Sequence, residues 1–228
     1  HELTKALEAE ARAAGAEVLF RHALTAVTAR GGDAQRGYVL GVRDADGDEV
    51  QLGCDLLVNS AGLEADRVSA LCGVDADVHH PCRGDYFRIG GAPPAIDTLV
   101  YPLPRPQLEG LGVHLTIDLA GGLRLGPDTR YVAREAQQGD VDASKAEAFA
   151  RGAARYLPWL HAEMLRPDTY GIRPKLSGPG EPWRDFVVRR EAARGQPQLV
   201  NLLGIESPGL TASMAIAERV SRLAAETL

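Results

Sequence analysis

Cys54-Asp55-Leu56-Leu57-Val58-Asn59-Ser60-Ala61-Gly62 is the stretch on which the reading of this chain turns. Leu56–Val58 is an uninterrupted apolar run, the pattern of a strand covered on both faces. The run stops on small residues, and a helix is expected from Glu64 to Leu71, ended by Gly73. Strand, small-residue turn and helix in that order is where α/β proteins hold ligands, at the carboxyl ends of strands. The same order returns near the end of the chain. Gln198–Leu203 reads as a strand, Gly204-Ile205-Glu206-Ser207-Pro208-Gly209-Leu210-Thr211 as a turn, and the rest as a helix to Leu228. Met214, Ala217, Val220, Ser221 and Ala224 are spaced as the inner face of that last helix.

Outward from the first junction, the spacing of Leu3, Leu7, Ala11 and Ala14 predicts a helix over 2–14 that ends at Gly15. Glu17–Phe20 reads as a short strand. Thr25–Arg30, Gly37–Arg43 and Glu49–Leu52 read as an antiparallel meander, linked first by the loop Gly31-Gly32-Asp33 and then by the Asp-Gly hairpin signal in Asp44–Asp48. Residues 76–194 have another texture, rich in Gly and Pro (Pro102, Pro104 and Pro106 among them). Strands are expected at Asp85–Ile89, Leu99–Tyr101, Gly112–Ile117, Leu123–Leu125, Thr169–Arg173 and Asp185–Arg189. A helix is expected over 143–157, with Phe149, Ala153 and Tyr156 on one face. A shorter one should start at Pro158 and carry Trp159, Leu160 and Met164. The fold class is therefore α/β plus α+β, with a mostly antiparallel sheet inserted between two α/β pieces.

The 228 residues carry a net charge of −6 and 45% hydrophobic residues, an ordinary globular composition. The acidic balance speaks against a nucleic-acid binder, which needs a Lys/Arg excess. Lys5, Lys145 and Lys175 are the only lysines among 25 basic residues. No run approaches eighteen apolar residues, so no membrane span is expected. Cys54, Cys72 and Cys82 form no disulfide framework, which suggests free thiols in a reducing, cytoplasmic compartment. The chain opens on His1 without a Met and is helical at once, so the first part of a longer protein is expected to be absent.

Four strings carry candidate chemistry. Gly204 and Gly209 let the backbone approach a ligand closely. Pro208 suits a helix start, where the N–H groups of Gly209 to Ala212 would face an acceptor that becomes negative, as a flavin carbonyl does on reduction. The same string suits a plain strand-to-helix turn. Asn59-Ser60-Ala61-Gly62 would let a flat cofactor lie on the backbone, or simply permit close helix–sheet packing. Arg173 and Lys175 lie two apart on an extended segment, so they share a face and could clamp an anion. Solvated surface charges are the plainer reading. His114, flanked by Val113 and Leu115, is either packed or a base with a near-neutral pKa. A calcium loop at Asp44-x-Asp46-x-Asp48 fails for want of a Glu at its twelfth position. Cys72, His79, His80 and Cys82 match no standard zinc spacing. No metal site is expected, and no G-x-G-x-x-G follows a strand.

In order and spacing, Cys82-Arg83-Gly84-Asp85-Tyr86-Phe87, Leu99-Val100-Tyr101-Pro102-Leu103-Pro104, Leu111-Gly112-Val113-His114-Leu115-Thr116, Leu125-Gly126-Pro127-Asp128, Gly171-Ile172-Arg173-Pro174-Lys175 and Ser207-Pro208-Gly209-Leu210-Thr211 resemble one family. It is the L-2-hydroxyglutarate dehydrogenase/oxidase branch of the FAD-dependent D-amino-acid-oxidase-like superfamily. The resemblance implies an incomplete FAD/NAD(P)-binding-type domain from 1–75 and 195–228, with a substrate domain at 76–194. It implies FAD beside Asn59, Ser60, Ala61, Gly62, Gly204, Ile205, Pro208, Gly209, Leu210 and Thr211, with Val27 toward the adenine end. On the substrate side it implies Tyr101, His114, Arg173 and Lys175, with His114 and Arg173 catalytic, acting on a small anionic 2-hydroxy acid. An amino acid, an amine or glycerol 3-phosphate are neighbouring substrates. Contact with a quinone or a membrane surface stays open, as does oligomeric state. The glycine fingerprint and ribose-binding acid of such proteins are not in this sequence, so the chain as written should bind FAD poorly. A non-catalytic binding protein with a vacant cofactor site is the rival reading.

Overall fold

The computed structural model describes residues 1–31, 37–103, 112–136 and 138–227. Gly32 and Asp33 of the first meander link, Pro104, Pro106, Leu111 and Leu228 lie outside the described residues. Alternating apolar residues build the expected meander from β1 (Ala23–Ala29), β2 (Tyr38–Arg43) and β3 (Glu49–Cys54). The Asp44–Asp48 link is a hairpin turn: Asp44 Oδ1 accepts the N–H groups of Asp46 and Asp48 at 2.9 and 3.0 Å. Tyr38 is buried, and its hydroxyl donates to Gln196 Oε1 at 2.8 Å, docking the meander on the C-terminal strand.

That strand, β11 (Gln196–Leu203), is the middle of a second sheet. β4 (Leu57–Asn59) runs parallel to it and β10 (Val187–Glu191) antiparallel. Asn59 thereby lies opposite Asn201, and both carboxyl ends point the same way. This register joins the two strand–turn junctions that the sequence shows separately. β10, which the sequence reading puts with the inserted region, hydrogen-bonds to β11. α2 (Ala65–Leu71) and α4 (Ser213–Ala225) pack against this sheet. The apolar run of β4 is not covered on both faces: Val58 is 37% exposed, and among the described residues β4 is paired along one edge only.

α1 (Glu2–Ala13) forms as the spacing predicts but buries no residue. Glu17–Phe20 forms no strand, and Leu19 and Phe20 are exposed. Strand pairing is non-local, and no described strand lies beside this run to satisfy its N–H and C=O groups.

The inserted region is a third sheet built on β5 (His80–Ile89), longer than predicted. β9 (Leu165–Lys175) pairs along one side of it. β7 (Leu123–Gly126) and the unforeseen β8 (Arg130–Tyr131) pair along the other, and β6 (His114–Ile117) pairs with β7. Leu99–Tyr101 shrinks to a single bridge, Val100 to Leu115. α3 (Ala146–Ala153) follows a 3-10 turn whose Asp142 side chain caps Ser144 N at 2.9 Å. It covers the sheet with Phe149, 4.8 Å from the Phe87 ring, in a core that includes Leu115, Leu125 and Leu165. The helix expected at Pro158 is only a 3-10 turn, Ala162–Met164. Leu160 is buried there without helical geometry, because the core takes the side chain and not the period. No helix of the described residues is long and apolar enough to cross a membrane.

Candidate cofactor and substrate site

β11 delivers Gly204 at φ +68°, where a Cβ would stand 2.6 Å from Leu176 Cγ. Gly204→Ala therefore combines left-handed strain with a clash, and should destabilise the fold by roughly 1–3 kcal/mol. A urea midpoint equal to wild type would sink that expectation. The Gly204 N–H donates to His79 Nε2 at 3.0 Å. Beyond it the chain closes a turn in which Gly209 N–H donates to the Glu206 carbonyl and Ala212 N–H to that of Pro208. The expectation that Gly209 to Ala212 all present free donors is corrected accordingly. Among the described residues, only Leu210 and Thr211 of this run donate to no backbone carbonyl. Helix α4 starts at Ser213 and not at Pro208, because the Glu206–Gly209 closure turns the chain before the helix begins.

The inner face of α4 also differs from expectation. Ile216, Val220, Leu223 and Ala224 are partly buried, whereas Met214, Ala217 and Ser221 are exposed. Both stripes are apolar or small at helical spacing. Packing on β10 and β11 chooses between them, and periodicity does not.

At the end of β4, Asn59 is buried with its amide fully engaged. Nδ2 donates to Ala65 O at 2.7 Å and to Asn201 Oδ1 at 2.9 Å, while Oδ1 accepts the Ala61 N–H at 3.3 Å. Asn59 thus shapes the turn from within, and Ser60, Ala61 and Gly62 are left exposed. Val27 lies elsewhere, packed against the cluster of Tyr38, Cys72, Val74 and Leu199.

Arg173, Pro208, Gly209, Leu210 and Thr211 line one cleft of about 320 Å³, together with Ile205 and Glu206. Lys175 Nζ sits 3.9 Å from Glu206 Oε1, with both side chains largely buried. Burial pushes the Glu206 carboxyl above its ordinary range, and the charges of Lys175 and Arg173 oppose that shift. Arg173 Nη1 is buried with no hydrogen-bond partner among the described residues. A buried guanidinium N–H left unmatched is costly, and a carboxylate supplies the bond it lacks. Gly84 keeps room for this arginine: a Cβ there would stand 3.3 Å from Arg173 Nη2 and 2.6 Å from Pro127 Cβ.

His114, on β6, is buried and stacked on Tyr101, with ring centroids 4.2 Å apart and planes 15° from parallel. Its Nδ1 lies 3.0 Å from the Gly112 carbonyl. A carbonyl only accepts, so the proton is on Nδ1 and the lone pair is on Nε2. Burial pulls the His114 pKa below 6.5. The Gly112 bond opposes this and the Arg173 charge reinforces it. Arg173 and His114 are thus close enough to interact. Tyr86 belongs to the same group: burial raises its pKa, the Arg173 charge lowers it and Tyr101 raises it. Tyr86 and Glu206 are the residues that sequence reasoning passed over. Both lie within candidate segments (82–87 and 204–211), but only their position beside Arg173 marks them.

Three comparisons bear on this arrangement. A family model described as FAD dependent oxidoreductase matches residues 1–223. The mitochondrial L-2-hydroxyglutarate dehydrogenase of Arabidopsis thaliana is 42% identical over 76% of this chain and 38% of its own length. L-2-hydroxyglutarate dehydrogenase of Salmonella houtenae is 26% identical over 92% of this chain and 55% of its own. The chain thus spans 38% to 55% of the length of these relatives. FAD-bound L-alpha-glycerophosphate oxidase of Mycoplasma pneumoniae superposes with a TM-score of 0.71 at 23% identity, over 89% of this chain and 50% of that one. L-proline dehydrogenase of P. horikoshii gives 0.72 at 16%, over 97% and 54%. The fold is theirs: a mixed α/β unit carrying a mostly antiparallel sheet. With the family model matching almost end to end and the two strand–turn junctions brought side by side, the chain belongs to the FAD dependent oxidoreductase family.

Proposed function

We propose that the protein oxidises a small 2-hydroxy acid of the L-2-hydroxyglutarate type to the 2-oxo acid, with FAD as cofactor. The observation that carries this reading is the buried Nη1 of Arg173, without a hydrogen-bond partner among the described residues, on a side chain that lines the cleft walled by Ile205–Thr211. FAD, when bound, supplies the acceptor for the hydride equivalent. Arg173 binds the substrate carboxylate, with Lys175 adding positive charge and Tyr101 walling the site through its stack on His114. His114 Nε2 accepts the hydroxyl proton. The residues present fit a flavin: Leu210 and Thr211 offer two backbone donors, and Ser60, Ala61 and Gly62 form an open, small-residue surface. In this reading Gly204, Ile205, Pro208 and Gly209 shape that wall, Asn59 holds the turn, and Val27 stands toward the adenine. The free thiols Cys54, Cys72 and Cys82 suit a reducing compartment such as the cytoplasm, although the Arabidopsis relative is named mitochondrial.

The test is the visible spectrum of protein expressed from the complete gene. 2-Hydroxy acids, amino acids and glycerol 3-phosphate are added without oxygen. Bleaching by a 2-hydroxy acid supports the reading, and bleaching by one of the others replaces the substrate. A colourless protein that takes up no FAD refutes the enzyme reading and leaves the binding-protein alternative.

His114→Asn should lower kcat by roughly 100- to 10,000-fold with little change in KM, as for loss of a general base. The base works as neutral imidazole, so kcat/KM should fall as pH drops through a value below 6.5. A pH profile with no acid limb in that region would remove His114 from the role.

A further inference from the structure

The ring of His79 is fully buried between the two strand–turn junctions. Both nitrogens are engaged. Nδ1 meets the Leu63 carbonyl at 3.3 Å, just after Ser60–Gly62. Nε2 accepts the Gly204 N–H at 3.0 Å, at the start of the turn that runs to Thr211. A carbonyl requires a proton on Nδ1 and an N–H requires a lone pair on Nε2, so only one neutral tautomer satisfies both. The residue is itself fixed: its backbone N–H donates to Asp66 Oδ2 at 3.0 Å, and that oxygen also accepts Arg134 Nη2 at 2.5 Å.

We infer that His79 is a positioning residue which, as neutral imidazole, ties the Leu63 turn to Gly204 and so sets the separation of the two chain segments that hold the cofactor. This rests on the reading that those segments face FAD. The rigid five-membered ring explains why one side chain suffices. The ring's two nitrogens point outward on opposite sides, so a single rigid group spans the gap without losing rotamer freedom at each end.

The charge environment bears on the protonated form. Asp66 lies 3.6 Å from Nδ1. The other charges that face the ring are Glu64, next to Leu63, and Arg134, on the 3-10 turn Arg134–Ala136; toward β11 it meets the uncharged Gly204 N–H. Burial pulls the pKa below 6.5. The Leu63 bond and the Asp66 and Glu64 charges oppose this, and Arg134 reinforces it. A depressed histidine contributes its interaction above its unfolded pKa and loses it as pH falls through the folded value. Protonation puts a proton on Nε2, and the Gly204 N–H then has no acceptor.

The experiment measures FAD dissociation constants by fluorescence between pH 5 and 8, using protein from the complete gene. Wild type is compared with His79→Gln, which keeps an acceptor and a donor but does not titrate, and with His79→Leu. Wild-type affinity should fall as pH drops through the folded His79 value below 6.5, by up to roughly tenfold once the ring is protonated, the size expected for one lost hydrogen bond. His79→Gln should bind within roughly threefold of wild type at pH 7.5 and lose most of that pH dependence. His79→Leu should bind roughly tenfold more weakly at pH 7.5. If His79→Gln keeps the wild-type pH slope, the inference is overturned, whether or not His79→Leu folds. Wild type that binds no FAD at any pH overturns the cofactor reading and the inference with it, an outcome distinct from a variant that behaves as wild type.

Discussion

Arg173→Ala should raise the KM for the 2-hydroxy acid roughly 100-fold while kcat changes far less. A charge-assisted bond from a buried guanidinium to a carboxylate contributes about 1.5–3 kcal/mol, and each 1.4 kcal/mol is about a factor of ten. The structure argues for the upper part of that range, because among the described residues Nη1 has no partner to give up on binding. Arg173→Lys should recover only part of the loss, since an ammonium keeps the charge but not the planar fork. The measurement is steady-state KM, checked by the dissociation constant of the 2-oxo product. An unchanged KM would remove Arg173 from substrate binding and with it the main support for a carboxylate substrate.

Glu191→Leu should lower the stability of the chain by roughly 3–5 kcal/mol. Glu191 is fully buried at the end of β10. It accepts from Arg189 Nε at 3.0 Å, Arg194 Nη1 at 3.0 Å and Asn201 Nδ2 at 2.9 Å. Arg189 also binds Asp77 at 2.5 Å, Asp77 is bound in addition by Arg184, and Asn201 binds Asn59. Removing the carboxylate leaves several donors facing an apolar side chain in the layer that aligns β4 with β11. A urea midpoint giving a loss below about 1 kcal/mol would show that the network does not stabilise the sheet. Asp77 gives the same network a pH signature. Burial pushes its carboxyl up, but the Arg189 and Arg184 bonds prevail and hold it below its ordinary 3.8. Its contribution is therefore complete above pH 3.8 and is lost as pH falls through the lower folded value. Acid unfolding should begin at higher pH in Asp77→Asn than in wild type.

Local pattern served well where the structure is local. The meander, the Asp44–Asp48 hairpin, α1 and the strand expected at Gln198–Leu203, which forms two residues longer as Gln196–Leu203, follow from alternation, turn residues and helical spacing. It failed where an element depends on a distant partner. Glu17–Phe20 has strand composition but no described neighbour to pair with. Leu99–Tyr101 keeps a single bridge. The outward turn of Met214 and Ala217 is settled by the packing of α4, not by its period.

The family likeness, the two strand–turn–helix junctions and the residue types able to bind an anion and take up a proton are all legible in the linear sequence. Only in three dimensions do the junctions, 142 positions apart at Asn59 and Asn201, become neighbours through parallel pairing. The same closure sets Glu206 against Lys175 and leaves Arg173 Nη1 without a partner among the described residues. It also engages both nitrogens of His79 between the turns. The physical reason is that composition and periodicity encode which side chains seek burial. Which charge meets which, and which buried donor stays unmatched, is fixed only when strands distant in sequence close into one sheet.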